Sequence, residues 1–392
     1  MTTSKWPFQR LNKFIDVKHG FAFKSDYFCD KGTYVLLTPG NFYEVGGFRW
    51  LGNKQKYYSG DVQEAYVMKK GDVLVAMTEQ ATGLLGSTII VPENGKYLHN
   101  QRLGLIQIRD EALLSKDFIY HLFNSMFIRK PISETSAGTK VKHTSPEKIG
   151  KIMVPVPPLQ QQKNISEILF TCDQSIEKTE RLIAVKEKQY LWLLSNLISN
   201  DKHRRGHIRD FSSEVSTRNN GTAIDLVLSV TNNRGFVLPS DQFERRVASS
   251  DLSNYKIVTR GQYAYNPSRI NVGSIARLDG WDKGVLSPMY VVFELNEKKV
   301  NSDFFLHWLE SHAAKERIRK SAQGSVRETV SFTDFGSISF PLPSINKQIK
   351  IAAVLNMARN EINLLKKQLE ACRKQKRGLM QKLLTGQWRV KK

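Results

Sequence analysis

Pro155-Val156-Pro157-Pro158-Leu159 opens a stretch that the chain writes twice: Pro341-Leu342-Pro343 repeats it 186 residues later, with Ile345 in the place of Leu159 and Gln348 in the place of Gln162. The offset follows from setting Gly138 on Gly324 (324 − 138 = 186). It also pairs Asp117-Phe118 with Asp303-Phe304, His121 with His307, Gly150 with Gly336 and Leu169 with Leu355. Nearer the start of each copy small gaps are needed, and Gly71-Asp72-Val73 falls on Gly261-Gln262-Tyr263. A long-period repeat fixes the architecture before any local reading is made. Each copy has the same order: short strand-like runs broken by Gly, Asn and Pro, then the prolines, then a long helical segment. Proline fixes φ, keeps the preceding residue out of the helix and fits a first helical turn, so both proline runs lead into helices.

The helical segments carry the clearest periodicity. Ile165, Leu169, Cys172, Ile176, Thr179, Ile183, Lys186, Tyr190, Leu193 and Leu197 alternate steps of four and three. The same positions in the second copy are Ile351, Leu355, Ala358, Ile362, Leu365, Leu369, Cys372, Lys376, Leu379 and Leu383. Both are heptad seams. Each helix runs for about 40 residues, or roughly 60 Å at 1.5 Å per residue. Because the two share a register, the economical solution is that they pack on each other, with Thr179, Lys186 and Lys376 helping to set it. Packing of each helix on its own globular domain alone, or pairing between molecules, are the alternatives. Tyr190 reads as core, and Trp192 as either core or a contact to a partner helix.

Strand candidates are Asp72 to Met77, Ser87 to Val91, Leu103 to Ile108, Tyr263 to Asn266 and Met289 to Leu295, rich in β-branched and aromatic residues. The fold class is therefore α+β, with two mixed globular parts. Lys and Arg outnumber Asp and Glu by 59 to 37 in 392 residues, giving net +22, which favours a polyanionic partner. From Glu361 to Lys392 there are ten Lys or Arg against two Glu, a tail that touches phosphates or forms the solvated face of a coiled coil. No run of about 18 apolar residues occurs and Met1 to Arg10 lacks a signal-peptide layout, so a cytoplasmic protein without membrane contact is expected. Cys29, Cys172 and Cys372 have no paired spacing and are expected to be reduced, with no metal site.

Chemistry is hard to find in the chain. There is no phosphate-binding loop, no convincing glycine-rich methyl-donor loop and no clustering among the eight histidines. Asn266-Pro267-Ser268-Arg269 and Ser287-Pro288-Met289-Tyr290 faintly resemble an amino-methyltransferase motif but lack its second proline, and Arg269 replaces the aromatic that would stack on a flipped base. Turns at strand edges explain them better. No catalytic residue is assigned.

Base readout needs Arg or Lys forks for guanine and Asn or Gln for adenine, whereas phosphates need only cations and small polar groups. Loops carrying both kinds recur in the two copies. The first copy offers Thr38 and Asn41, Gln80 and Thr82, Gln101 and Arg102, and Lys140, Lys142 and His143. The second offers Asn232, Asn233 and Arg234, then Ser268, Arg269 and Asn271, then Ser325 and Arg327. Any one of these loops reads equally as an ordinary polar turn, but matched places with different residues are what two readers of different sequences would look like.

With the repeat, the seams and the C-terminal run Gly378-Leu379-Met380-Gln381-Lys382-Leu383-Leu384-Thr385-Gly386, the chain resembles the specificity subunits of type I restriction-modification enzymes. The proline run 155–158 with Leu159 and Gln162 is similar to the family's start of the first helical spacer. The glutamate usual before that glutamine is Gln161 here and Lys347 in the second copy. The resemblance implies target-recognition domains at 1–154 and 201–340, helical spacers at 155–200 and 341–392, and an antiparallel coiled coil between the spacers. Each domain would read one half of a split, asymmetric DNA site, with the helices setting the unread spacing. Two modification subunits would methylate adenine and restriction subunits would cut unmethylated DNA. S-adenosylmethionine, ATP and Mg would sit on those partners, and this chain would hold no cofactor. The rivals are a stand-alone DNA-binding regulator or antirestriction decoy, and a diverged methyltransferase or nuclease fused to its own reader.

Overall fold

The structure is a computed structural model describing residues 6–138, 141–199, 203–220, 224–239, 251–323 and 329–390. The first copy runs β1 (Phe8–Arg10), β2 (Ile15–His19), β3 (Phe28–Cys29), β4 (Tyr34–Leu36), β5 (Tyr57–Tyr58), β6 (Val73–Ala76), β7 (Thr88–Ile90), β8 (Tyr97–Leu98) and β9 (Leu103–Ile108). It continues with α1 (Lys116–Phe123), α2 (Met126–Glu134), α3 (Pro146–Gly150), β10 (Met153–Pro155) and the long α4 (Leu159–Leu193). The second runs β11 (Arg205–His207), β12 (Ser212–Val215), β13 (Ser229–Thr231), β14 (Gly235–Val237), β15 (Lys256–Thr259), β16 (Tyr263–Tyr265), β17 (Ile275–Arg277), β18 (Lys283–Leu286) and β19 (Val291–Leu295). It ends in α5 (Ser302–Glu310), α6 (His312–Gln323), α7 (Phe332–Gly336), β20 (Ser339–Pro341) and α8 (Ile345–Leu384).

Two compact units result, residues 1–179 with 368–392 and residues 180–367. Each contains one globular part and a segment of both long helices. Each is built on the same antiparallel four-stranded sheet, in the order β2-β9-β6-β7 in the first and β12-β19-β16-β17 in the second. Alternation along the strands seals both faces. In the first unit Val73 and Val75 pack on Phe118, Leu122, Ile128 and Ile132 of the helices, while Leu74 and Ala76 pack on Val35, Leu37 and Phe42. In the second, Tyr263 and Tyr265 meet Phe304, Phe305 and Trp308, while Ala264 meets Leu228, Val258 and Leu286. Burial on both sides explains why these strands read as continuous apolar runs. Met289 falls outside its expected strand because Ser287–Tyr290 is a turn, closed by the Tyr290 N–H on the Ser287 carbonyl at 3.0 Å.

One short two-stranded ribbon closes each part onto its helix: β1 on β10, with Phe8 opposite Pro155, in the first and β11 on β20, with Arg205 opposite Pro341, in the second. Just beyond, the two matched glutamines act as identical clamps. The Gln162 amide donates to the Pro157 carbonyl (2.8 Å) and the Leu113 carbonyl (2.8 Å) and accepts from the Ser115 N–H (2.8 Å). Gln348 donates to Pro343 (2.8 Å) and Lys299 (3.2 Å) and accepts from Asn301 (2.9 Å). Both side chains are fully buried, and each satisfies three backbone groups at the entry to its long helix, of which the proline carbonyl is reached through a fully buried bond.

The long helices pack together as an antiparallel pair. In the first unit Ile165 and Leu169 share a core with Met380, Leu383 and Leu384, and in the second Ile351 and Leu355 share one with Leu194 and Ile198. Every seam position is buried or half-buried, and the residues between them on the outer faces are mostly exposed. The seam lysines are ion-paired across the helices, Lys376 with Asp173 and Lys186 with Glu361 (2.8 Å), and Glu187 bonds Lys366 (2.7 Å). Tyr190 is half-buried and Trp192 is exposed, so Trp192 takes no part in the core. The three cysteines are free thiols.

Candidate nucleic-acid interface

In the first unit the chain leaving β6 gathers three of the loops read from the sequence. The Met77 N–H donates to the Arg102 carbonyl (3.0 Å), the Thr144 N–H to the Met77 carbonyl (3.0 Å) and the Glu79 N–H to the Lys142 carbonyl (2.9 Å). His143 Nδ1 lies 3.2 Å from the Thr78 hydroxyl. Gln80, Thr82, Gln101, Arg102, Lys142 and His143 are therefore exposed side by side around one strand end. Two cations, two amides, a hydroxyl and an imidazole in such a cluster suit phosphate contacts and base edges together.

The fourth loop behaves differently. Asn41 is fully buried, its Oδ1 accepting from the Thr38 N–H (3.0 Å) and hydroxyl (3.3 Å), its Nδ2 donating to Gln55 Oε1 (2.8 Å) and the Arg49 carbonyl (3.2 Å). It has no amide edge to offer a base. Asn41 and the half-buried Thr38 instead brace a hairpin that spans residues 41–49, with Phe42 bridged to Phe48 and the Arg49 N–H on the Asn41 carbonyl (2.7 Å).

One functional residue carried no mark in the sequence. Arg129 of α2 reaches under the loops and donates from Nη1 to the Glu44 carbonyl (2.7 Å), from Nε to the Leu85 carbonyl (2.8 Å) and from Nη2 to the Gly83 carbonyl. Burial pushes its guanidinium down to about 10, against the raising effect of Glu44 and Glu79. It remains charged at neutral pH and ties the hairpin to the loop that carries Gln80 and Thr82. A helix-surface arginine gives no hint of this in one dimension.

The second unit repeats the arrangement. Its Val330 N–H donates to the Pro267 carbonyl at 3.1 Å, as Thr144 does to Met77. Ser268 and Arg269 are exposed in the following turn, held by the Ser268 N–H on Asn266 Oδ1 (3.0 Å) and the Arg269 N–H on the Asn266 carbonyl (2.9 Å). Asn266-Pro267-Ser268-Arg269 is thus a strand-edge turn. Asn271 is half-buried beside it. Asn232, Asn233 and Arg234 form the exposed tip between β13 and β14, and Gly273, at φ +97°, lets the Asn271 turn lie against Asn232, where a Cβ would come within 3.7 Å. Lys140, Ser325 and Arg327 lie outside the described residues. Among the described residues no group of three His, Cys, Asp or Glu could hold a metal ion, and no helix is long and apolar enough to cross a membrane.

The model of the type I restriction modification DNA specificity domain matches residues 3–187 and 251–372, most of both copies. The chain belongs to this family. It is a specificity subunit of the type I restriction-modification class, a non-catalytic DNA-binding protein that works with methyltransferase and restriction partners. It is 24% identical over 426 residues to the type I restriction enzyme EcoBI specificity subunit of Escherichia coli, covering 97% of this chain and 86% of that one. It is 22% identical over 303 residues to the MjaVIII specificity subunit of Methanocaldococcus jannaschii, covering 69% and 70%. In fold it is similar to the crystal structure of a type I S subunit from M. genitalium, with TM-score 0.63 at 15% identity over 98% of this chain and 97% of that one. A chain from a structure of a type I restriction-modification assembly gives TM-score 0.58 at 13% identity, covering 99% and 100%.

Proposed function

We propose that residues 1–154 and 201–340 are two target-recognition domains that each read one half of a split, asymmetric DNA sequence, with residues 155–200 and 341–392 as the helical spacers that fix the unread distance between the halves. The observation that carries this reading is the recurrence of one loop cluster, at the end of β6 and of β16, held by the same backbone bond and furnished with different side chains. In the first domain Gln80, Thr82, Gln101, Arg102, Lys140, Lys142 and His143 are the contacts, with Thr38 and Asn41 positioning them. In the second they are Asn232, Asn233, Arg234, Ser268, Arg269, Asn271, Ser325 and Arg327. Arg, Gln and Asn supply base-edge forks and Lys, Ser and Thr supply phosphate contacts. Two modification subunits bind one such chain, in the cytoplasm where chromosomal DNA is accessible.

Mapping N6-methyladenine across the genomes of cells with and without this gene tests the proposal. A two-part motif with a fixed unread gap is expected to vanish with the gene. A single contiguous motif, or methylation without sequence preference, contradicts it.

A further inference from the structure

The two hairpins described above are counterparts. Phe42 and Phe48 bridge in the first, Val230 and Phe236 pair in the second, and both pairs are related by 188 residues (230 − 42 and 236 − 48). Both tips have three residues between the closing pair: Glu44-Val45-Gly46 between Tyr43 and Gly47, and Asn232-Asn233-Arg234 between Thr231 and Gly235. A buried serine just before an edge strand anchors each hairpin, though one residue apart in this frame: Ser87 Oγ donates to the Tyr43 carbonyl (2.7 Å), whose counterpart is Thr231, and Ser274 Oγ to the Val230 carbonyl (2.8 Å). The bridged pairs and the equal tip lengths put Val45 in the place of Asn233.

The first tip is held rigidly. Arg129 holds the Glu44 carbonyl, the Gly47 N–H donates to the Thr88 carbonyl (3.0 Å), and Gly46 and Gly47 sit at φ +90° and +98°. A Cβ at Gly46 would come within 2.1 Å of the Asn124 side chain, so the close approach there admits only glycine. On this fixed support Val45 is 71% exposed, an apolar side chain projecting into solvent without covering any core. Its neighbour Glu44 is exposed and acidic, so the tip is unsuited to a phosphate contact. In the major groove the apolar feature that a side chain can read is the C5-methyl of thymine, and a carboxylate there accepts from a cytosine amino group.

We infer that the tip Glu44-Val45 is a base-reading element of the first recognition domain, with Val45 in van der Waals contact with a thymine methyl. This rests on the reading that each domain recognises half of a split site. The domain thus reads one position by shape where its twin uses an asparagine fork. The test uses the full chain assembled with its modification subunits and duplexes carrying the mapped site, with each thymine of each half replaced in turn by deoxyuridine. One substitution in one half is expected to weaken wild-type binding about fourfold, the value of one buried methyl. The Val45→Ala variant should bind thymine and deoxyuridine duplexes alike at that position and keep every preference in the other half. Equal methyl sensitivity in wild type and variant, no sensitive thymine, or a half-site without thymine overturns the inference while leaving the split-site reading intact. Absence of any split site overturns the reading itself.

Discussion

The contact between globular part and helix pair is built at equivalent positions in the two units and filled in opposite ways. In the first, His121 of α1 is buried with its ring centroid 4.4 Å from that of Phe170, and beside it Asp173 pairs with Lys376. Adding or subtracting 186 turns these four into His307, Asn356, Arg359 and Tyr190, and there the histidine sits in a polar network. His307 Nε2 meets Asn356 Oδ1 (2.8 Å), its Nδ1 meets the Tyr190 hydroxyl (2.8 Å), that hydroxyl donates to Glu310 (2.7 Å), and Arg359 closes the group by pairing with Glu310. Burial, then Lys376, pushes His121 down to about 3. Burial and Arg359 lower His307, while Asn356, Glu310 and Asp303 act against that. The glutamine clamps a few residues away are the same in both. The backbone clamp is what the two copies share, and the side chains packed around it differ.

Breaking the shared part has the largest expected effect. Gln348→Ala or Gln162→Ala leaves one N–H and two carbonyls without their partners, the proline carbonyl in a buried place, at about 3 kcal/mol of stability, and equal losses in urea titrations are expected for the two variants. A loss confined to one copy would show that the clamps are not equivalent. Next, Lys376→Met strands the part-buried Asp173 carboxylate, whose pKa burial already raises despite the lysine, and is expected to cost about 2 kcal/mol at pH 7. Lowering the pH into the carboxylate range should narrow the gap between the variant and the wild type, as the stranded carboxylate protonates.

The histidines sharpen the contrast through pH. His121 holds its proton only near pH 3 when folded, against 6.5 when unfolded, so below pH 6.5 the unfolded chain binds a proton that the folded one refuses. Its contribution is intact above pH 6.5 and falls as pH drops towards 3, by about 1.4 kcal/mol at pH 5.5. His99, lowered by burial to about 4, adds a slope of the same sign. His121→Leu should therefore flatten the acid limb without removing it, and an unchanged limb would show that His121 is not buried neutral. The smallest effect is on stability and belongs to the exposed Lys142: Lys142→Ala should leave the melting temperature unchanged, weaken binding to every duplex alike and reduce the salt slope of DNA binding by about 1.

The repeat, the seams and the main strands were legible because each repeats at a period that burial enforces. Val73–Ala76 and Leu103–Ile108 are apolar because both sheet faces are covered, and the heptad residues are those that face the partner helix. Loops obey no such period. Asn41 looks like a base reader in one dimension and proves to be a buried brace, because its partners Arg49 and Gln55 are set by the hairpin fold. Arg129 was invisible for the converse reason, since its partners are carbonyls more than 40 residues away in sequence. The equivalence of Val45 with Asn233 emerges only once strand pairing supplies the local offset of 188 that gaps hide from the overall 186.

If the two proposed recognition domains read independently, either half of the site can be relaxed without the other. The most direct measurement is methylation mapping in cells carrying Arg269→Ala in place of the wild-type chain. Base preference is expected to relax in one half of the split motif while the other half and the gap stay as they were. Simultaneous loss of both halves, in a variant that still assembles with its partners, would contradict it.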